Sequence, residues 1–236
     1  MTPLVQVNRV AYRYPDVTPA LTDVSFSLAS GERAALLGPT GAGKSTLLQL
    51  LNGLLLPAAG TVAIDGVAVT EASAPAVRRR VGFVFQNPDD QLFLPTLLED
   101  VAFGPLNAGA SREEAAARAH AALLSLGLAQ AHERAAHHLS GGEKRLAALA
   151  TVLVSQPDVL VLDEPSGDLD ARSRRRLLEA FRARHETLLV ATHDLEFARG
   201  ICTRALVLVE GRVAWDGALE TLLGDRPLLE RCSLVA

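Results

Sequence analysis

Hydrophobic and polar positions alternate in two stretches near the amino terminus of the chain, over Leu4–Val10 and Val24–Leu28. Alternation with a period of two predicts half-buried antiparallel strands. Later strand-like segments are short apolar runs, and Val81–Phe85 is apolar throughout, as expected of a strand that is buried on both faces. The strands predicted after the first two are Arg33–Leu37, Thr61–Ile64, Val81–Phe85, Val159–Leu162, Thr187–Thr192, Ala205–Val209 and Arg212–Trp215.

Helical patterns replace the strand patterns over residues 87–156. One helix is predicted to begin after Ser111, because Ser111 and Glu114 have the spacing of a capping box. A second helix is predicted to begin near Ser140 and to stop before Pro157, whose ring cannot continue it. The middle of the chain is therefore predicted to be a helical insertion between two strand-rich parts.

Strand, helix and strand follow one another between Val159 and Thr192. Helix-forming residues over 171–184 separate the two apolar runs, and this spacing implies that the strands pair in parallel through a crossover. Together with the alternating strands at the amino terminus, the pattern predicts an α/β fold.

Composition narrows the class of protein only modestly. The chain has 236 residues, enough for a single domain with a large core, and no apolar run reaches the length of about 20 residues that a membrane-spanning helix needs. Its first residues lack the basic and apolar regions of a signal peptide, so we expect a cytoplasmic protein. The net charge of −4 argues against a general nucleic-acid surface, and two arginine runs, Arg78–Arg80 and Arg172–Arg176, are explained by solvated helix faces.

A phosphate-binding loop pattern, G-x-x-x-x-G-K-[ST], lies between the predicted strand Arg33–Leu37 and a predicted helix over Leu47–Leu51. Glycines at these positions let successive N–H groups curve around a phosphate, and the helix start adds partial positive charge. Lys44 is predicted to reach the β- and γ-phosphates, and the Ser45 hydroxyl to bind Mg²⁺. The predicted site for a nucleoside triphosphate consists of Gly38, Pro39, Thr40, Gly41, Ala42, Gly43, Lys44, Ser45 and Thr46.

Polar residues stand at the ends of three other apolar runs: Gln86, the pair Asp163-Glu164, and His193. In a parallel sheet these ends lie at the same edge as the phosphate loop, so we expect one site. Asp163 would hold Mg²⁺ through water, and Glu164 would orient or deprotonate the attacking water. Gln86 is predicted to sense Mg²⁺ and the γ-phosphate, and His193 to take part in catalysis.

Two tyrosines, Tyr12 and Tyr14, lie between the two alternating strands, next to a Pro-Asp turn. They could provide a flat surface for a purine ring or simply form a strand edge. Spacing alone leaves both interpretations open.

The string Leu139-Ser140-Gly141-Gly142-Glu143 resembles the signature motif of ATP-binding cassette proteins. The resemblance covers almost the whole chain. It implies that Tyr14 stacks on adenine, and that the signature faces the γ-phosphate of an ATP bound to another subunit. Two ATP molecules would then be sandwiched in a head-to-tail dimer, either a homodimer or a heterodimer with a paralogous ATPase. The residues that the resemblance adds to the site are Tyr14, Ser140, Gly141, Gly142, Glu143 and, after Leu169, Asp170.

The same resemblance implies an α/β phosphate-loop NTPase with a mainly parallel central sheet, an N-terminal antiparallel β subdomain and an inserted α-helical subdomain. A single domain would occupy residues 1–236. Its RecA-like core and antiparallel subdomain would cover about 1–86 and 157–236, and its helical subdomain about 87–156.

A finer similarity concerns Gln86–Phe93 and Glu99–Pro105, which look like the ATPase subunits of energy-coupling-factor importers. It implies a peripheral ATPase at the cytoplasmic face of the cell membrane, where it would power uptake of cobalt, nickel or a vitamin. Its partners would be a transmembrane coupling subunit and a substrate-binding membrane subunit, with no nucleic acid. Two residues depart from the family pattern: Leu146 replaces a usual arginine, and Asp168 replaces a usual small residue.

Two other classes of function are weaker alternatives. A soluble cassette protein acting on nucleic acid or ribosomes usually joins two cassettes or has long insertions. A GTPase would need an Asn-Lys-x-Asp guanine motif, and neither it nor a small-molecule kinase explains the signature. For the importer, we predict that an apolar patch of Leu92, Phe93 and Leu94 receives a helix of the membrane partner, with packing into the helical insertion as the alternative.

Overall fold

The computed structural model describes residues 3–16, 18–167, 169–182 and 184–235. Its strands, numbered along the chain, are β1 (Val5–Arg13), β2 (Pro19–Leu28), β3 (Arg33–Leu37), β4 (Ala59–Ile64), β5 (Val67–Ala68), β6 (Val81–Val84), β7 (Val159–Asp163), β8 (Thr187–Ala191), β9 (Arg204–Val209) and β10 (Arg212–Ala218). Its α-helices are α1 (Lys44–Asn52), α2 (Ala74–Arg80), α3 (Leu97–Asn107), α4 (Arg112–Ser125), α5 (Gly141–Leu153), α6 (Ala171–Arg182), α7 (Leu195–Ile201), α8 (Leu219–Gly224) and α9 (Arg226–Arg231).

The amino-terminal strands form an antiparallel sheet with the order β2-β1-β4-β5. Val5 is paired with Leu28 and Val7 with Phe26, so that alternate side chains of β1 and β2 enter the core. The alternating pattern of the sequence therefore has its expected cause, one buried face and one polar face. The prediction of antiparallel strands is confirmed.

The central sheet has the order β10-β9-β3-β8-β7-β6. Strands β9, β3, β8 and β7 are parallel, and β10 is antiparallel to β9 at one edge. Leu36 of β3, Ala191 of β8 and Asp163 of β7 are level with one another across the sheet. The loops after these three strands therefore leave the sheet at one edge, and the predicted mainly parallel sheet is confirmed.

By packing, the described residues divide into two compact units. The first contains 3–83, 158–164 and 186–235, and the second contains Val84–Pro157 and Pro165–His185. The second unit thus holds the predicted helical segment and, in addition, 165–185, which the prediction assigns to the core. The reason is close packing of α6 on α5, since a Cβ atom added to Gly142 would lie 2.1 Å from the Ser173 hydroxyl oxygen.

Helix ends agree with the sequence in part. Gly53 closes α1 with a left-handed conformation, which a glycine adopts without strain. Ser111 caps α4 by accepting from the Glu114 N–H group, but the Glu114 carboxylate pairs with Arg118 one turn later instead of completing the box. Helices α2, α3 and α7 are not among the predicted helices. Within the described ranges, no helix is both long enough and apolar enough to cross a bilayer.

Candidate functional site

Close contacts with neighbouring backbone set the shape of the loop between β3 and α1. A Cβ atom added to Gly38 would lie 2.1 Å from the Leu208 carbonyl oxygen, and one added to Gly43 would lie 2.5 Å from that of Ala20. Both glycines also have positive φ angles, 146° and 99°, which other residues rarely adopt. At Gly41, where φ is 81°, the position of a Cβ atom is open. The fold itself therefore fixes both ends of the loop, while its middle stays accessible.

Helix α1 begins with backbone N–H groups that lack a side-chain cap. Its N-cap residue is the left-handed Gly43, and no capping hydrogen bond is made there by any described side chain. The first turn also contains no acidic residue. Uncapped N–H groups and the positive end of the helix dipole together favour an anion.

The Lys44 ammonium group is folded over the loop. Its Nζ donates to the carbonyl oxygens of Gly38 at 2.7 Å and Pro39 at 3.0 Å. Partial burial lowers the pKa of Lys44 below its ordinary value, and the nearby carboxylates of Glu164 and Asp163 act in the opposite direction. A partly desolvated cation beside uncapped N–H groups is suited to bind phosphate oxygens through charge-assisted hydrogen bonds.

Asp163, the last residue of β7, is buried against the start of α1. Burial raises the pKa of the Asp163 carboxyl group, while its hydrogen bond with the Ser45 side chain opposes that shift. A hydroxyl and a carboxylate in contact are the hard oxygen ligands that Mg²⁺ accepts. Ser45 and Asp163 therefore fit a Mg²⁺ ion, which would neutralise phosphate charge when bound.

Glu164 and His193 form a contact pair at the same edge of the sheet. Glu164 Oε2 lies 3.0 Å from His193 Nδ1 and accepts the His193 backbone N–H at 3.3 Å. The Glu164 N–H group in turn donates to the Ala191 carbonyl oxygen at 2.9 Å. Glu164 has a φ of 46°, an uncommon conformation for a residue with a side chain. The carboxylate is thus held in place, while the His193 side chain is 76% exposed.

Of the two tyrosines, Tyr14 reaches the phosphate loop. Its hydroxyl lies 2.9 Å from Thr46 Oγ1, and its ring packs edge-on against Tyr12 with centroids 5.1 Å apart. The ring remains partly exposed, at 38%. The structure therefore links Tyr14 to the predicted nucleotide site by a hydrogen bond that the sequence does not indicate.

The start of helix α5, in the second unit, is closed by its own side chains. Ser140 Oγ accepts from the Glu143 N–H at 3.3 Å, and Glu143 Oε2 accepts from the Ser140 N–H at 2.8 Å, which completes a capping box. Hydrogen bonds from Ser140 hold the pKa of Glu143 below its usual range. Gly142 packs on Ser173, whereas a Cβ atom added to Gly141 would meet open space. Packing of the described residues thus requires the glycine at 142 but not the one at 141.

A comparison with protein families decides to which family this fold belongs. The sequence profile of the ABC transporter family matches residues 21–167. The chain belongs to the ABC transporter family.

Relatives place this ABC ATPase more narrowly. It is 43% identical over 237 residues to the energy-coupling factor transporter ATP-binding protein EcfA of Methanothermobacter thermautotrophicus, covering 98% of this chain and 76% of that protein. It is 33% identical to CbiO1 of Clostridium perfringens, described as part of the ABC transporter complex CbiONQ, with a TM-score of 0.84 and coverage of 99% and 96%. It also resembles the dimeric ATP-binding cassette MJ0796 bound to ADP and phosphate, with a TM-score of 0.84, 28% identity and coverage of 91% and 98%. The resemblance to the energy-coupling-factor subgroup is confirmed, and the chain is an ABC transporter ATP-binding subunit.

Besides the residues at the start of α5, two further predicted site residues, Gln86 and Asp170, lie in the second unit of the ABC ATPase. Gln86 follows β6, and its carbonyl oxygen accepts a hydrogen bond from Arg145 at 3.0 Å. Asp170 Oδ1 accepts from the Ser173 N–H at 2.7 Å, and its hydrogen bonds with Ser173 hold the pKa of Asp170 below its ordinary value. The roles of both residues toward nucleotide stay predictions, while the phosphate loop, Asp163, Glu164 and His193 are together in the first unit.

The predicted apolar patch is different in the structure. Leu92 is only 6% exposed and belongs to the core, so the prediction that it lies on the surface is wrong. Phe93 is 64% exposed and packs edge-on against Phe103 of α3, with ring centroids 5.5 Å apart. The exposed patch therefore consists of two aromatic rings, Phe93 and Phe103, which we call the two-ring patch.

Two family departures have different outcomes. Leu146 is 2% exposed on the buried face of α5, so this position is accommodated as part of the core. Asp168 lies outside the described residues.

Sequence reasoning missed two side chains that hold the region around the two-ring patch. Asp100 Oδ1 accepts the N–H groups of Phe93 and Leu94, each at 3.0 Å, and burial raises the pKa of Asp100. Gln91 bonds with both α5 and Phe85. The Thr96–Glu99 capping box at the start of α3 is a local signal that could have placed the helix carrying Asp100.

Proposed function

We propose that this ABC ATPase binds ATP with Mg²⁺ at the start of α1 and hydrolyses it to ADP and phosphate. The observation that carries the proposal is the group at the carboxyl edge of the central sheet, where a held carboxylate, Glu164, accompanies the Ser45–Asp163 pair and Lys44. Phosphate charge would be met by Lys44 and by the uncapped N–H groups at the start of α1. Glu164 would accept a proton from the attacking water or orient it, and His193 would keep that carboxylate in place.

The remaining site residues complete a two-subunit arrangement in this proposal. Tyr14 would stack on adenine, and Gln86 would respond to Mg²⁺ and the γ-phosphate. Ser140, Gly141, Gly142 and Glu143 would contact the γ-phosphate held by a second ATPase subunit, with Asp170 at the same interface. The dimeric form of the related cassette MJ0796 with ADP and phosphate supports dimer formation. In this proposal the dimer is head-to-tail and either homomeric or formed with a paralogue.

The variant Glu164→Gln tests this proposal. It keeps the shape of the side chain but removes the carboxylate, so hydrolysis should fall by at least about 100-fold while ATP still binds. Because ATP then persists, gel filtration with MgATP should show a dimer that MgADP does not support. Glu220→Gln, an equivalent change at an exposed ion pair with Arg199, is the matched control and should hydrolyse ATP normally. An ATP-saturated Glu164→Gln protein that stays monomeric would contradict the sandwich arrangement.

We further propose that hydrolysis powers an energy-coupling-factor importer. The chain would lie at the cytoplasmic face of the cell membrane, bound to a transmembrane coupling subunit that acts with a substrate-binding membrane subunit. Its cargo would be a metal ion such as cobalt or nickel, or a vitamin. The similarity to EcfA and to CbiO1 supports this proposal, and the two-ring patch provides an exposed apolar surface for a partner helix.

Co-purification with a co-expressed transmembrane coupling subunit tests the docking surface. Phe93→Asp places a charge in the two-ring patch and should abolish co-purification, while ATP hydrolysis by the isolated subunit is retained. Leu124→Asp is the matched control, because Leu124 on α4 is similarly exposed, at 68% against 64% for Phe93. If the Phe93→Asp protein co-purifies at wild-type yield, docking occurs elsewhere.

A further inference from the structure

The segment that follows β6 is bound to the signature helix α5 through a single glutamine side chain. Gln91 Oε1 accepts the Phe85 N–H at 3.2 Å, while Gln91 Nε2 donates to the Ala148 carbonyl oxygen at 2.8 Å and to Thr151 Oγ1 at 2.7 Å. The side chain is half-buried, and its acceptor and donor ends point to different elements. No other uncharged side chain can reproduce this pattern with the same length.

A second contact holds the next peptide of the same segment. The Arg145 guanidinium group, on α5, donates to the Gln86 carbonyl oxygen at 3.0 Å. The backbone around Gln86 is therefore held on both sides, at the N–H group of Phe85 and at its own carbonyl oxygen. Both contacts lead to α5, the helix whose first turn is the Ser140 capping box.

A third contact between α5 and the segment after β6 is an ion pair, which is a weaker type of contact. Lys144 Nζ lies 2.6 Å from Asp89 Oδ1, and the Asp89 side chain is 58% exposed. Exposed ion pairs are screened by water and contribute little to holding a segment in place. The half-buried hydrogen bonds of Gln91 therefore contribute more to the position of this segment than the Lys144–Asp89 ion pair does.

We propose that Gln91 is a positioning residue that locks Gln86 to helix α5. Gln86, which would respond to the ATP of its own subunit, and Ser140, which would contact the ATP held by the second subunit, would then move as one body. A loose connection would let Gln86 respond to the γ-phosphate without moving Ser140, and ATP would bind without closing the dimer. This inference rests on the proposed function of Gln86 and of the signature.

The variant Gln91→Glu tests the inference. The carboxylate keeps an acceptor for the Phe85 N–H but turns an oxygen toward the Ala148 carbonyl oxygen, so the hydrogen bond to that group of α5 is replaced by repulsion. We expect KM for ATP to stay within about two-fold and kcat to fall by at least about ten-fold, because only the closed dimer is lost. In the Glu164→Gln background, the same change should remove the ATP-dependent dimer on gel filtration. Gln130→Glu, an identical change at an exposed glutamine of the same unit, is the matched control.

A direct readout accompanies the kinetics. Amide hydrogen exchange of Phe85 should speed up in the Gln91→Glu protein without nucleotide, because the side chain that accepts its N–H group is no longer anchored to the Ala148 carbonyl group, while exchange in the central strands stays slow. Thr151→Val removes one of the three partners of Gln91 and should give intermediate values, which keeps the test available if Gln91→Glu folds poorly. Wild-type protein that shows this protection but does not hydrolyse ATP would contradict the proposed function and leave the lock between Gln86 and α5 intact.

Two results would overturn the inference. One is faster exchange at Phe85 with unchanged kcat and an intact dimer, which would make Gln91 a stabilising residue only. The other is a rise in KM with unchanged kcat, which would assign Gln91 to ATP binding.

Discussion

The chain presents two glycine-rich helix starts, and they are built in opposite ways. At α1, the glycines at 38 and 43 are forced by neighbouring backbone, and the N–H groups are left without a side-chain cap in the described structure. At α5, Ser140 and Glu143 cap each other, and only Gly142 is required by packing. The first start is therefore ready to receive an anion by itself, whereas the second has already satisfied part of its N–H groups. A helix start that is partly satisfied fits a role as a second contact better than as a primary binding site.

The two lysines of the chain, one in each of these helices, also have different environments. Among the 23 basic residues of the chain only Lys44 and Lys144 are lysines, and each lies in the first turns of one of these helices. Lys44 is half-buried over its own loop, where it donates to the carbonyl oxygens of Gly38 and Pro39 and lies near the carboxylates of Glu164 and Asp163. Lys144 pairs with Asp89 at 2.6 Å. The two ammonium groups therefore offer a direct test of which helix start binds the triphosphate.

The largest expected effect separates these two lysines. Lys44→Ala should lower kcat/KM for ATP by at least about 100-fold, because it removes a preorganised cation at the phosphates. Lys144→Ala should leave ATP affinity of the isolated protein within about two-fold, since it removes only a partly exposed ion pair. Titration calorimetry and steady-state hydrolysis measure both effects. Similar losses of ATP affinity in the two variants would contradict the contrast between the helix starts.

A second pair of variants distinguishes the glycine of α5 that is needed for packing from the one that is available for binding. Gly142→Ala places a methyl group against Ser173, whose Cβ and Oγ atoms both lie within 2.5 Å of the new carbon, and should destabilise the fold by about 1–3 kcal/mol. Gly141→Ala meets open space and should be neutral or stabilising by up to about 1 kcal/mol. Urea unfolding measures these differences.

For Gly141→Ala we expect an effect on dimer formation rather than on stability. Despite its normal stability, Gly141→Ala should weaken the ATP-dependent dimer in the Glu164→Gln background, because a methyl group would stand where a second subunit's phosphate is expected. Equal destabilisation of the two alanine variants would mean that Gly141 is also a packing residue. A wild-type dimer with Gly141→Ala would remove it from the proposed interface.

Local patterns predicted the α1 start more completely than the α5 start, and the reason is physical. Strand, loop and helix at α1 are contiguous in sequence, so periodicity and glycine spacing determine them locally. The requirement for Gly142 comes from Ser173, 31 residues later, and sequence spacing does not show that α6 packs there. The burial of Leu92 was not predicted for a similar reason. A single apolar residue in a polar loop belongs to no periodic pattern that would indicate whether its side chain is buried or exposed. The spacing of Glu114 allowed its carboxylate to pair either with the Ser111 backbone or with Arg118, and in the structure it pairs with Arg118.

A smaller effect concerns the hydroxyl group of Tyr14, which extends the α1 site. Tyr14→Ala should weaken ATP binding about five-fold or more, because stacking of a base on an aromatic face contributes about 1–3 kcal/mol. Tyr14→Phe keeps the ring but loses the 2.9 Å contact with Thr46, so a loss of about two-fold is expected rather than none. Tyr12→Ala and Tyr12→Phe are the matched controls in the same fluorescence titration. If Tyr12→Ala is the damaging change, the adenine-stacking residue is the other tyrosine.

The smallest effect distinguishes the helix starts by pH. Hydrogen bonds from Ser140 lower the pKa of Glu143 in the folded protein below its unfolded value of about 4.5. The charged carboxylate therefore contributes its full stabilisation above that unfolded pKa, and the contribution is lost as pH falls through the folded pKa. Glu143→Gln keeps an acceptor for the Ser140 N–H group but has no charge, so it should cost about 0.5–1 kcal/mol at pH 7 and nothing at low pH. Helix α1 has no acid in its first turn and offers no counterpart to this dependence.

Urea unfolding between pH 7 and pH 3 measures the difference, with Glu113→Gln in the first turn of α4 as control. A wild-type advantage that stays constant over this range would mean that the α5 cap acts through shape alone, and the contrast between the two helix starts would then rest on their glycines.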